Sequence, residues 1–339
     1  MMSVVLQKVV PPKPYLVLGN RMFILSIVLL IISAYLYDAG EAFVAVEVGI
    51  IHYLFCLKFS SSESAVKGSL IPLLTTLIAV PLSLVAMPWA PLTTAIFTFV
   101  LVLFERDSHH QSVPKYILPL TFLLLSMMMV PSNVDPIALM TQRAVSVILG
   151  IVVAIIAATI VWPNPESGSE QAKQAYKLNK VDLKYSVRKA LGVGLILCLG
   201  LIGGSGAALG AYLFMMIHSP LTKNLAPKAW ERLSGTVLGA LIYVPLGLML
   251  GYMDSPLVVS VITWSLVIVS LYMILVYLEH NYTVATAFIM LLILAVSVGP
   301  FNSEIVEAVL MPRLWFTIVG GVSMIILGLL IPLREAELQ

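Results

Sequence analysis

Two arginines interrupt long apolar runs at the same distance from a glycine: RAVSVILG runs from Arg143 to Gly150, and RLWFTIVG from Arg313 to Gly320. RLSGTVLG, from Arg232 to Gly239, repeats the spacing. A guanidinium in hydrocarbon costs about 2.5–3.5 kcal/mol on insertion scales, so it faces a cavity, a partner or the interface. Its planar fork suits a carboxylate, which it binds through two parallel hydrogen bonds. Arg143 and Arg313 are therefore candidate anion-binding residues. Snorkelling to phosphates, or pairing with Asp135, Glu304 or Glu307, are their structural alternatives. Glu47 is an intramembrane carboxylate and a candidate proton-coupling group. His52 lies five residues on, about 140° around a helix, so the two form no dyad. His52 and His218 are candidates to line an inner mouth, with hydrogen bonding to helix ends as the alternative. Trp264, in the middle of an apolar run, could stack on an aromatic ligand or serve helix packing.

The elements that must hold these residues are membrane helices. Of 339 residues 60% are hydrophobic and 11% charged, and the mean hydropathy is +1.02. A soluble domain carries about 25% charged residues. The runs are apolar all round rather than alternating, which selects helices over barrel strands. Read between charges, prolines and turns, they predict twelve spans: 22–37, 42–57, 70–87, 91–104, 116–130, 137–162, 189–204, 206–217, 232–253, 256–277, 282–298 and 308–331. With both termini cytoplasmic, 17 of the 19 basic residues fall on inner segments. Asp38, Glu41, Asp135, Asp254, Glu304 and Glu307 fall on outer turns without a basic neighbour, the asymmetry of the positive-inside rule. The two exceptions are Arg143 and Arg313, each several residues inside the outer end of its span. Trp89, Trp162, Trp230 and Trp315 fall at span ends, as an aromatic belt would. The first span reads as a signal anchor.

A polar stretch divides the chain. Residues 1–163 form a first six-helix repeat, 164–187 a cytoplasmic linker and 188–339 a second repeat. The Arg-x6-Gly match, the pair GIIH (Gly49 to His52) and MMIH (Met215 to His218), and the correspondence of Lys67 with Arg232 recur in the same order in both halves. Six is even, so the repeats are parallel and related by an axis along the membrane normal, an arrangement in which transporters place substrate at the repeat interface. Glycine is concentrated in the second half, with five before residue 164 and sixteen after. Gly150, Gly235, Gly239 and Gly320 are expected to serve close helix packing.

A six-span half whose last helix opens with Arg-x6-Gly and ends in Val161-Trp162-Pro163, with RLSGTVLGALIYVPLGL in the second half, resembles the fusaric acid resistance (FUSC) and aromatic acid exporter proteins. The resemblance implies a multi-pass bacterial inner-membrane exporter of organic, aromatic carboxylic acids. It also implies a HlyD-type periplasmic membrane fusion protein as a partner. The chain departs from larger members in lacking a sizeable soluble domain between its halves.

The net charge of +2 gives no footprint for nucleic acid. No phosphate-binding loop, GxSxG, HExxH or CxxC occurs, so the reading is non-enzymatic, with no cofactor and no metal. The expected function is secondary efflux of a small organic anion across the bilayer, driven by the proton-motive force. An anion channel, or a non-transporting subunit that anchors an adaptor, are the alternatives.

Overall fold

The computed structural model describes residues 11–36, 39–57, 62–85, 89–105, 135–163, 180–203, 211, 214, 224–278, 280–298 and 303–333. The helices are α1 (Lys13–Leu36), α2 (Ala39–Cys56), α3 (Ser62–Val85), α4 (Ala90–Glu105), α5 (Pro136–Ile156), α6 (Lys180–Gly203), α7 (Leu225–Gly251), α8 (Pro256–Tyr277), α9 (Tyr282–Val298) and α10 (Ser303–Leu330). Among the described residues there is no strand. Five stretches are long and apolar enough to cross a membrane: Lys13–Ser33, Met140–Val161, Leu225–Gly251, Pro256–Tyr277 and Leu310–Leu330. The chain is thus an all-α protein of membrane character. The predicted spans 116–130 and most of 206–217, and the linker up to residue 179, lie outside the described residues. Residues 180–187 form the first turns of α6.

Local chemistry sets the helix starts. Asp135 accepts a hydrogen bond from the Ile137 nitrogen at 3.0 Å, and Pro136 occupies the first helical position of α5. Ser255 and Pro256 repeat the device at α8, where the serine accepts from Val258 at 3.5 Å. A capping oxygen satisfies one of the orphaned amides, and proline has none to lose there. At the other end of α5 the helix widens into a π-turn, Ala157–Val161, closed by the Trp162 nitrogen on the Ala157 carbonyl at 2.8 Å.

Two compact units arise: Met1–Phe23 with Lys223–Ile325, and Ile24–Thr222 with Ile326–Gln339. In the 24–222 unit, α5 lies along α2 and α3, and α6 along α4. Val48, Val147 and Ile151 are fully buried between α2 and α5. Gly49 meets Gly150, and four residues on from Gly49 the Tyr53 ring sits 6.3 Å from Trp162. Both sequences advance in the same direction, so α2 and α5 run parallel. In the 223–325 unit, α9 packs between α7 and α8. Gly235 meets Thr283 and Thr286, and Gly239 meets Ala287 and Met290; α7 and α9 are therefore also parallel.

Outward surfaces are apolar. Leu257, Val261, Trp264 and Ile268 are 73%, 57%, 55% and 44% exposed and form one stripe along α8. A helix with such a face is stable where the surrounding medium is hydrocarbon.

Candidate functional site

Arg143 sits in α5 two turns before Gly150 and is 4% exposed. Its depth follows from how closely α5 can approach α2. A Cβ on Gly150 would stand 2.7 Å from the Ala45 carbonyl oxygen and 3.0 Å from the Gly49 nitrogen. Glycine at both 49 and 150 lets the backbones touch, which draws the start of α5 into the unit. Glu47 lies one turn before His52 on α2 and is half-buried.

His52 is 1% exposed. Its Nε2 lies 2.8 Å from Ser69 Oγ on α3, and that hydroxyl donates to the Ala65 carbonyl at 2.7 Å. A hydroxyl has one proton, so Ser69 accepts and His52 Nε2 donates. Cys56 Sγ, at 3.8 Å, reaches the same oxygen. His52 thus ties α2 to α3 inside the unit. His218, its proposed counterpart, lies outside the described residues.

Arg313 stands ten residues into α10 (313 − 303), directly after Pro312. A Cβ on Gly321 would lie 3.4 Å from the Ala229 side chain. Hydropathy fixes that a run crosses but not the depth of each residue in it. At 28 residues, α10 exceeds the roughly 20 that a crossing needs.

Arg232 Nη1 lies 3.4 Å from the Tyr282 hydroxyl, and its Cζ 5.8 Å from the Tyr282 ring centre. Its Nε is buried with no hydrogen-bond partner. Among the described residues, neither Arg232 nor Arg313 forms an ion pair with a carboxylate. Thr236 and Thr317 occupy the same place in RLSGTVLG and RLWFTIVG, and each hydroxyl donates to the carbonyl of its own arginine, at 2.9 and 2.6 Å.

The glycines differ in what they meet. Gly235 and Gly239 face α9, where a Cβ would strike the Thr286 hydroxyl and the Ala287 carbonyl respectively. Gly320 is buried within α10. Trp264, in the exposed stripe of α8, is not enclosed by the 223–325 unit.

Sequence reasoning did not single out α6. Arg188 and Lys189 were counted with the inner charges, yet they are 2% and 3% exposed. Lys189 Nζ donates to the Phe214 carbonyl at 2.7 Å and lies 5.3 Å from the Phe214 ring centre; Arg188 Cζ lies 5.5 Å from the Tyr185 ring centre. The available signal was their position, since both open an apolar run without any intervening turn residue. Among the described residues, no group of three His, Cys, Asp or Glu side chains gathers to hold a metal.

The fold and these charges define a helical membrane protein with basic groups set inside its apolar units. No family description, curated protein or solved structure matches the chain.

Proposed function

We propose that this protein is a secondary transporter of the fusaric acid resistance type, exporting organic, aromatic carboxylic acids across the bacterial inner membrane. The single observation that carries the reading is the presence in each unit of an Arg-x6-Gly arginine within an apolar span, Arg143 buried and Arg313 half-buried. Such a cation is costly in hydrocarbon, and its usual compensation is a cavity, a partner or a passing anion. Export is the direction the physics favours. A protonated weak acid enters through lipid, ionises in the cytoplasm and is trapped. An interior-negative potential drives its anion out at about 2.3 kcal/mol per charge per 100 mV. Glu47 is the proposed proton-coupling group, and a HlyD-type adaptor the proposed periplasmic partner.

The test is transport by proteoliposomes loaded with p-hydroxybenzoate under an imposed pH gradient. Wild-type protein is expected to accelerate release, and Glu47→Gln to remove the dependence on the gradient. Release that ignores the gradient in wild-type protein, and is unaltered by Glu47→Gln, would identify a channel. No release with the adaptor present, across a panel of acids, would leave the anchoring subunit.

A further inference from the structure

The 223–325 unit gathers basic and aromatic residues at one end. α7 and α9 are parallel, so both open there, and a short turn brings α8 to the same end. Two exposed aromatics mark its level. Trp230, in the second turn of α7, is 69% exposed, and Tyr252, at the far cap of that helix, 86%. Twenty-two residues (252 − 230) at 1.5 Å each set them about 33 Å apart, close to the roughly 30 Å of a hydrocarbon core. Such aromatics settle at headgroup depth. Lys228 and Arg232 bracket Trp230 in sequence and leave the opposite face of α7, the face turned toward α9. Four residues apart on a helix, their Cβ atoms are neighbours at about 6 Å, and like charges at that spacing repel. Both are half-buried, and among the described residues neither forms an ion pair with a carboxylate. Arg232 Nη1 donates to the Tyr282 hydroxyl at 3.4 Å, which leaves that hydroxyl its own proton to donate. The Nε of Arg232 has no hydrogen-bond partner. The positive end of α9 opens at the same place, which further favours an anion.

We propose that Lys228 and Arg232, with the Tyr282 hydroxyl, hold the phosphate of an anionic phospholipid where α7 and α9 begin. A phosphodiester brings one negative charge and two free oxygens to the depth that Trp230 marks. The two cations and the phenol meet those oxygens with charge-assisted and neutral hydrogen bonds. Among the described side chains of this turn, Lys228 and Arg232 stand against Glu231 alone, a surplus of one positive charge that one phosphodiester balances. A zwitterionic lipid carries its own ammonium and leaves that surplus uncompensated. The site therefore selects anionic over zwitterionic lipid, as basic pockets between membrane helices do. Bound there, the headgroup fastens the start of α7 to the start of α9. The inference is independent of the transport reading.

The experiment is native mass spectrometry of the full chain in detergent, titrated with phosphatidylglycerol and with phosphatidylcholine of the same acyl chains. Phosphatidylglycerol is expected to bind at least about tenfold more tightly. Lys228→Gln and Arg232→Gln should each lower that preference about fivefold, the share of one cation at an anionic surface, and Lys228→Arg should keep it. Thermal unfolding of each variant without added lipid guards against a folding defect. Equal affinity for the two lipids in wild-type protein, or a preference that survives in the Lys228→Gln, Arg232→Gln double variant, overturns the proposal. Glu279→Gln removes the acid three residues before Tyr282 and should leave the preference in place. A preference that appears only in Glu279→Gln protein assigns the cations to an internal ion pair and overturns the proposal. Inorganic phosphate at the concentration of the lipid should not displace it, whereas displacement assigns the site to a soluble anion and overturns the proposal too.

Discussion

Gly150 of α5 touches the backbone of α2 at Gly49: a Cβ added to it would stand 3.0 Å from the Gly49 nitrogen and 2.7 Å from the Ala45 oxygen. Two turns earlier on the same helix lies buried Arg143. The contact and the charge are coupled, because the close approach of the helices carries the arginine inside.

Gly150→Ala is therefore expected to destabilise the protein by about 1–3 kcal/mol, the usual cost of overpacking. Backbone cannot give way as a flexible side chain can. Gly194 is the control. A Cβ there meets the Ala95 side chain at 3.1 Å and the Pro91 oxygen only at 3.7 Å, and alanine's better helix propensity, about 1 kcal/mol, offsets the contact. Thermal unfolding in detergent should show a clear loss for Gly150→Ala and a near-neutral Gly194→Ala. Equal losses would contradict the account.

The His52–Ser69 bond predicts a coupled pair. Ser69→Ala removes the acceptor from a buried imidazole donor, and leaving such a group unmet costs about 1–3 kcal/mol. Combining it with His52→Phe should cost less than the sum of the two single changes, which a double-mutant cycle reads directly. Additive losses would mean that the hydrogen bond contributes nothing.

Arg143→Gln should cut export of p-hydroxybenzoate by at least about tenfold, and Arg143→Lys should restore only part of it, since an ammonium keeps the charge but not the fork. Trp264→Leu should leave export unchanged, because that ring lies on the outward stripe of α8. Initial rates normalised to protein in the membrane check both. A severe defect in Trp264→Leu with normal transport in Arg143→Gln would reverse the assignment.

The two cysteines offer a probe of orientation. Cys56 is buried and Cys198 exposed, the latter on an α6 face shared with Leu191, Leu195 and Leu199. In detergent-solubilised folded protein at mildly alkaline pH, a small maleimide should label Cys198 and spare Cys56, as read by peptide mass spectrometry. Labelling of both at equal rates would argue against the packing of α2 on α3.

The spans predicted at 256–277 and 282–298 coincide with α8 and α9. Strong apolar runs bounded by Ser255-Pro256 and by Asn281 leave little freedom, and the Asn281 side chain caps α9 by accepting from the Val284 nitrogen at 3.3 Å. Helix starts were less legible where charged residues continue a helix. Lys13, Lys180 and Leu225 open α1, α6 and α7 ahead of the apolar runs themselves, because backbone hydrogen bonding does not stop where hydropathy falls. Depth and partnership were not legible. The burial of Arg188 and Lys189 depends on what packs over α6, which local spacing does not encode. His52 was recognised as polar in an apolar helix, but its tie to Ser69 joins residues seventeen apart on two different helices.

The central claim is energised export of an organic anion. The most direct measurement is efflux of preloaded p-hydroxybenzoate from cells with and without the protein, each with and without an uncoupler, with the adaptor supplied. The account predicts protein-dependent efflux that collapses when the uncoupler is added. Efflux identical in all four conditions, across a panel of aromatic and dicarboxylic acids, would contradict it.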